Sequence, residues 1–201
     1  MVTIPLTLLG QEEPEVYEFG AGDVLGIYVE GILPATPRDA PPANPPVYFP
    51  SQIDPLGGGL PPAMGFPIPI RDDGTISLPH IKEIKIEGMD ATEAGDVINK
   101  AYVDAGILQP GRRVLVTLMQ PRKVRVVVIR EETGGFARGG RGDIAVSNNN
   151  RGNGGVLDLR IYENDVLHAI AESGGLPGLD AFAEIIVFKG GQRDRALVGS
   201  L

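Results

Sequence analysis

The sequence predicts an α+β fold of two small domains: a β-rich domain with one helix, then a second domain of strands with one short helix. Short alternating apolar runs, bounded by glycine, proline and aspartate, recur along the chain and are typical of strands. Only two stretches combine helical apolar spacing with capping residues. A strand pattern ends before Pro121 and a new β run follows it. We therefore expect an N-terminal extension (1–14) and domains at 15–120 and 121–201.

Composition excludes several classes of function. The 201 residues are 42% hydrophobic, enough for a real core, and include no cysteine for disulfides or thiolate chemistry. A net charge of −8 argues against nucleic-acid binding. Residues 1–110 carry −11 and residues 111–201 carry +3, as expected for separate modules. The early apolar run, Ile4 to Leu9, is short and lacks a preceding basic segment, so we expect a soluble piece without signal or membrane anchor.

The first domain opens with two predicted strands, Val16 to Phe19 and Val24 to Val29, separated by the turn Gly20–Asp23. Alternation within the second strand assigns Leu25, Ile27 and Val29 to the core. The following segment, 34–67, is rich in proline and glycine, and we expect a mobile insertion without regular structure. A proline-rich partner motif is the functional alternative.

A turn at Asp72-Asp73-Gly74 leads into a predicted ribbon. Its apolar side carries Ile76 and Leu78, Pro79 ends the pairing, and the ribbon continues through Ile81, Ile84 and Ile86. The two aspartates also suggest calcium ligands, but no third acidic residue follows at the spacing of an EF-hand loop. The turn accounts for them adequately.

The helix that follows has the clearest pattern. Asp90 is a good N-cap, and Glu93 completes a capping box. Its predicted buried stripe is Ala94, Val97, Ile98 and Ala101. Gly106 is a natural stop, and a strand through Val114, Val116 and Leu118 closes the domain.

The second domain begins with the strongest β run, Val124 to Ile129, followed by a Gly/Asn-rich insertion, 134–155, that we expect to be mobile. Its Arg138, Arg141 and Arg151 are candidate contacts for a polyanion such as an acidic polysaccharide. The tripeptide Arg141-Gly142-Asp143 matches integrin ligands, but a chance match is favoured in a loop of this composition.

The rest of the second domain predicts a helix and a strand. Asn164 is the expected N-cap of a short helix that ends at Gly174-Gly175, and Ala183 to Phe188 forms a strand. The helix is expected to bury four residues: Val166, Leu167, Ile170 and Ala171.

No enzymatic site is indicated. Of the two histidines, His80 follows Pro79, and His168 lies between Asp165 and Glu172 in what we expect to be an exposed charge cluster. Nucleophile, phosphate-loop and zinc-protease motifs are absent from the sequence. We therefore predict no catalytic, metal or cofactor-binding residue and no cofactor. A glycosidase carboxylate pair stays open because carboxylates are abundant.

The ordered set of motifs resembles a known family. The first domain has, in this order, a Gly-Asp strand start, an Asp-Gly turn, a proline at a strand end and a glycine before the capped helix. This order resembles the periplasmic polysaccharide-export domain of outer-membrane polysaccharide export proteins. The residues are Gly22, Asp23, Asp73, Gly74, Pro79 and Gly88. The second domain, with Gly174 and Gly175 ending its helix, is similar to the soluble-ligand-binding β-grasp domain of this family. It departs at Arg130-Glu131-Glu132, where relatives have Gly-Glu-Val, and at Lys189, where arginine is common.

This resemblance implies a non-enzymatic role at the periplasmic face of the outer membrane. It implies a ring of identical subunits that passes capsular or extracellular polysaccharide and docks an inner-membrane chain-length regulator. A ligand-binding or cell-surface adhesion module on a β-grasp scaffold, without export, is the alternative. A ring with a wide channel favours export, whereas a monomer that captures a small molecule favours the alternative.

Overall fold

A computed structural model of the chain describes residues 9–12, 14–37, 43–49, 61–109, 111–130, 136–138, 144–146, 153–175, 185–189 and 192–198. The chain divides into two compact units, Pro14–Lys123 and Met1–Glu13 together with Val124–Leu201. Each unit combines antiparallel strands with one α-helix among its described residues. The predicted α+β fold class is confirmed.

The first unit contains seven strands and one helix in the described ranges. The strands are β1 (Val24–Val29), β2 (Val47–Tyr48), β3 (Ala63–Met64), β4 (Phe66–Pro69), β5 (Thr75–Ile76), β6 (Ile84–Lys85) and β7 (Val114–Gln120), and the helix is α1 (Ala91–Asp104). Strands β4, β1 and β7 form the central antiparallel sheet, with Ile27 opposite both Phe66 and Val116.

Both faces of β1 are covered, which the alternating pattern alone did not predict. Leu25, Ile27 and Val29 are fully buried in the core with α1, so their predicted orientation is confirmed. Gly26 and Tyr28, on the opposite face, are buried as well. The Tyr28 hydroxyl donates to the Ala43 carbonyl at 2.7 Å, so chain from the segment 34–67 covers this second face.

The segment 34–67 contains regular structure, which corrects the expectation of an unstructured insertion. Strands β2 and β3 pair antiparallel, with Val47 opposite Met64, and β4 begins within the segment. The proline content predicted irregular structure, but Pro67 and Pro69 lie in β4, an edge strand, where a missing N–H is tolerated. Residues 38–42 and 50–60 lie outside the described part of the chain, so the expected mobility stays a prediction.

The predicted opening strand, Val16 to Phe19, is wrong. This stretch pairs with no strand in the described ranges; instead, the Phe19 N–H donates to the Met89 carbonyl and the Gly88 N–H donates to the Phe19 carbonyl. These bonds, at 2.9 and 2.8 Å, tie the segment to the turn before α1. Long-range backbone bonds of this kind leave no periodic signal in the sequence.

The ribbon after the Asp-Gly turn is confirmed, since β5 pairs antiparallel with β6. Ile76 and Leu78 are buried as expected, and Ile86 is fully buried. Only two residues of each strand pair, so the pairing ends at Ile76, three residues before Pro79.

The helix α1 is confirmed, including the Asp90 N-cap and the capping box with Glu93. Its buried line is Ala94, Ile98 and Tyr102, whereas the predicted Val97 and Ala101 are only half-buried. Residues spaced four apart are enough to form the buried side of α1, because only one side of the helix meets the sheet. The helix ends at Gly106 (φ +69°), whose N–H donates to Val103 while the Ile107 N–H donates to Tyr102, a Schellman motif.

The second unit contains one short helix and three strand pairs in the described ranges. Strand β8 (Lys123–Arg130) pairs with β11 (Asn153–Arg160), β9 (Phe136–Arg138) with β10 (Ile144–Val146), and β12 (Ile185–Lys189) with β13 (Gln192–Val198). The predicted strand over Val124 to Ile129 is confirmed. Strands β9 and β10 lie inside the expected mobile insertion 134–155, and β11 and β13 were not predicted.

The short helix α2 (Val166–Glu172) corrects two expectations. Its N-cap is Asp165, whose carboxylate accepts from the His168 N–H at 2.8 Å, whereas Asn164 accepts from the Tyr162 N–H. None of its residues is fully buried, and Ala171 is exposed. The predicted end is confirmed, because Gly174 and Gly175 have positive φ and the Gly175 N–H donates to Ile170.

The charge difference between the two sequence halves does not follow the two units. Pro14–Lys123 holds 9 Lys and Arg against 14 Asp and Glu, a net −5, and the other unit holds 9 against 12, a net −3. The difference shrinks because Arg112, Arg113, Arg122 and Lys123, on either side of β7, belong to the first unit, while Glu12 and Glu13 belong to the other. Among the described residues, no helix is long and apolar enough to cross a membrane.

Candidate functional site

The most tightly bonded polar group of the described chain is the Asp23 carboxylate, at the start of β1. Asp23 is fully buried, and the turn before it uses Gly22 at φ +93°. Its carboxylate accepts from the Gly20 N–H at 2.8 Å, the Tyr17 hydroxyl at 2.8 Å, the Arg122 guanidinium at 2.9 Å and the Arg122 N–H. A buried charge is tolerated only when paired and hydrogen-bonded in this way.

This cluster, which we call the Asp23 anchor, joins distant parts of the first unit. Arg122 follows β7, so the ion pair ties the start of β1 to the end of β7, 99 residues later. The Arg122 guanidinium also lies 5.8 Å from the centre of the Tyr17 ring. A Cβ on Gly20 would lie 2.3 Å from the Arg122 guanidinium, so a larger residue there would displace the group that pairs with Asp23. All these contacts hold the fold, and we assign Asp23 a structural role.

The Asp73-Gly74 turn is a second cluster of motif residues. The Asp73 carboxylate accepts from the Thr75 hydroxyl at 2.6 Å and the Thr75 N–H at 3.0 Å. These bonds, the hydroxyl first, lower the pKa of Asp73 below its usual value. Gly74 has φ +77°, and its carbonyl accepts from the N–H groups of Ile86 and Glu87. The turn therefore explains both motif residues.

No arrangement for metal binding occurs at this turn. Within the described ranges, no group of three or more His, Asp or Glu side chains is placed to hold a metal ion.

Pro79 is exposed, but its carbonyl accepts from the hydroxyl of the buried Tyr102 at 2.9 Å. Tyr102 is fully buried on α1, and burial raises its pKa to about 12. Tyr102 was not among the predicted buried residues of α1, although its spacing of four residues from Ile98 was a usable signal. Gly88, at φ +80°, allows the turn that leads into α1.

In the second unit, Asp165 collects three hydrogen bonds. Its carboxylate accepts from the N–H groups of Gln11 and His168, each at 2.8 Å, and lies 2.9 Å from His168 Nδ1. Burial opposes ionisation of Asp165, but the bonds from these two N–H groups outweigh it, so its pKa is lowered. The expected exposed charge cluster is wrong for Asp165, whose side chain is 8% exposed and caps α2.

Arg130 lies beside the Gly174-Gly175 stop. Its guanidinium donates to the Ser173 carbonyl at 2.6 Å, and a Cβ on Gly174 would lie 2.7 Å from Arg130 Nη1. A cation at this position also suits the negative end of the helix dipole. Gly174 is thus required by its φ of +115° and by the close approach of Arg130.

The candidate polyanion contacts are not brought together in the described chain. Arg138 ends β9, and Arg141 and Arg151 lie outside the described residues, as do Gly142 and Asp143 of the integrin-like tripeptide. These contacts stay a prediction.

Asp23, the Asp73-Gly74 turn and the capped helix α1 all lie in one stretch, and this stretch matches a known family. A family model described as polysaccharide biosynthesis/export protein matches residues 11–119. The chain therefore belongs to the polysaccharide biosynthesis/export protein family, as the sequence motifs predicted. This is a transport and export family rather than an enzyme family, which supports a role in polysaccharide export. A search of curated proteins gave no match.

Proposed function

We propose that this chain is the periplasmic part of an outer-membrane polysaccharide export translocon, in which identical subunits form a ring that passes capsular or extracellular polysaccharide. The observation that carries the proposal is the family match over residues 11–119. Within that stretch, the motif residues Asp23, Gly74 and Pro79 each make contacts that hold the first unit together. The matched region is thus a folded module rather than a scattered similarity.

The second unit is proposed to be the soluble-ligand-binding β-grasp domain, residues 121–201, after an export domain at 15–120. Its short capped helix, its Gly174-Gly175 stop and its strand pairs support this assignment. Limited proteolysis is expected to cut first within 34–67 and 134–155, because glycine and proline concentrate there. Initial cleavage inside 90–105 or 123–129 would contradict this division.

A non-enzymatic role agrees with how the described carboxylates are used. Asp23, Asp73 and Asp165 are each occupied by hydrogen bonds from the chain itself, so none is poised as a general base. The proposed partners are further copies of the chain, the polysaccharide and an inner-membrane chain-length regulator. The proposed location is the periplasmic face of the outer membrane, with which this family is associated.

The ring is tested by the mass of the full-length protein extracted from its membrane. Native mass spectrometry is expected to give a closed oligomer of identical subunits. A full-length monomer would contradict the ring.

A further inference from the structure

An open cleft lies within the second unit, where the β8–β11 ribbon meets the end of α2. Its volume is about 160 Å³, below the roughly 300–1,000 Å³ of pockets that enclose a drug-sized ligand. The cleft therefore admits a single small ring rather than a large molecule. All its lining residues belong to the second unit.

Two adjacent glycines of β11, Gly154 and Gly155, keep one side of the cleft open. A Cβ on Gly155 would meet nothing within 4 Å, and a Cβ on Gly154 would meet the Val128 carbonyl at an ordinary 3.9 Å. Neither residue is among the glycines with positive φ in the described chain. Crowding and backbone conformation therefore do not require glycine here, although glycine weakens a strand. Glycine inside a strand often marks a place where a ligand approaches the backbone closely.

One cation and one carboxylate line the cleft. Arg130 is half-buried, and its guanidinium donates to the Ser173 carbonyl at 2.6 Å, which holds it at the end of α2. Glu172, exposed on the last turn of α2, supplies the carboxylate. A guanidinium only donates hydrogen bonds, and a carboxylate only accepts them. Because the two charges cancel, the cleft suits a neutral ligand that both donates and accepts hydrogen bonds.

Two aliphatic side chains, Val128 and Leu157, give the cleft an apolar wall. Both are half-buried, whereas their neighbours Val127 and Val156 are 66% and 62% exposed. This contrast follows from the alternation of side chains along a strand, which directs Val128 and Leu157 to the side of the ribbon that meets α2. A sugar ring has hydroxyl groups at its edge and C–H groups on its faces. It therefore matches both the polar and the apolar parts of the lining.

We propose that this cleft binds one neutral sugar residue of the exported polysaccharide. The sugar ring covers Gly155, Glu172 accepts a hydrogen bond from one hydroxyl, and Arg130 donates to another. Polysaccharide is the class of molecule that the family exports, so it is a ligand this unit meets. The inference rests on the proposed function and gives residues 124–201, which the family match does not reach, a part in it. A site for one ring holds the polymer weakly, as passage requires.

The probe is a set of short oligosaccharides made by partial acid hydrolysis of the surface polysaccharide that is lost when this gene is deleted. Saturation-transfer NMR with the purified chain is expected to detect their binding. Raising the NaCl concentration should change Kd less than about twofold, because the cleft carries no net charge. A steep loss of affinity with salt would indicate a polyanion bound by arginines such as Arg138, and it would overturn the proposal.

Two variants locate the binding. Gly155→Val fills the cleft with a side chain that suits a strand, so affinity should fall at least about tenfold while the urea unfolding midpoint stays unchanged or rises. A lower midpoint would show that the fold requires this glycine, and it would overturn the argument. Glu172→Gln keeps the shape but removes the charge, and affinity should fall about fivefold. Val156→Thr, on the opposite face of the same strand, is the matched control and should bind as wild type does.

Equal binding by wild type, Gly155→Val and Glu172→Gln would overturn the cleft. If the deletion strain lacks surface polysaccharide and no oligosaccharide derived from it binds, the cleft is wrong while the export function stands. Normal surface polysaccharide in the deletion strain would instead overturn the proposed function, and this inference with it.

Discussion

Removing the Asp23 carboxylate should destabilise the first unit strongly. Breaking one partner of a buried ion pair costs about 3–5 kcal/mol, because the remaining charge stays buried. The Arg122 side chain is already 24% exposed beside Asp23, so in Asp23→Ala water solvates part of the freed guanidinium. We therefore expect a loss of stability at the lower end of this range, about 3 kcal/mol. This value includes the hydrogen bonds that the Gly20 N–H and the Tyr17 hydroxyl no longer donate to Asp23.

Urea unfolding followed by far-ultraviolet circular dichroism measures this loss. For a unit of this size, about 3 kcal/mol corresponds to a Tm lower by about 12 °C. Asp96→Ala, on the exposed side of α1, is the control and should change the free energy of unfolding by less than about 0.5 kcal/mol. A loss below about 1 kcal/mol for Asp23→Ala would refute the anchor and mark the carboxylate as a functional group.

Three further substitutions act on α1, each measured by urea unfolding. Gly95→Ala should stabilise by about 1 kcal/mol, because the new Cβ meets only a Val116 methyl at 3.9 Å; destabilisation would show hidden crowding. Asp90→Ala should cost about 1 kcal/mol, and unchanged stability would contradict the cap. Tyr102→Phe should cost about 1 kcal/mol at neutral pH through its lost bond to Pro79. The folded-state pKa of Tyr102, about 12 against 10.0 unperturbed, makes wild-type stability fall between pH 10 and 12; equal falls in the phenylalanine variant would contradict this.

Local signals predicted the elements that depend on neighbouring residues. The α1 cap needs only Asp90 and Glu93, three residues apart, and the turn at Gly74 needs only a left-handed residue after Asp73. Both were read correctly because short-range hydrogen bonds impose a fixed spacing. The same holds for the end of α1 at Gly106.

Contacts between residues far apart in the chain could not be predicted from the sequence. Arg122 lies 99 residues from Asp23, so its pairing with the carboxylate is invisible to any local pattern. The β2–β3 ribbon depends on Thr117 and on close approach to Gly26, which no proline count reveals. At α2, two good capping residues stand side by side, and the chain uses Asp165 rather than Asn164. The residue types at these two positions did not show which of them caps α2.

Surface polysaccharide in a strain that lacks this gene tests the export claim most directly. The deletion is expected to abolish surface polysaccharide, and the full-length wild-type gene is expected to restore it. Full-length protein carrying Asp96→Ala should restore export equally well, whereas Asp23→Ala should fail in proportion to its lost folding. Normal surface polysaccharide in the deletion strain would contradict a role in export.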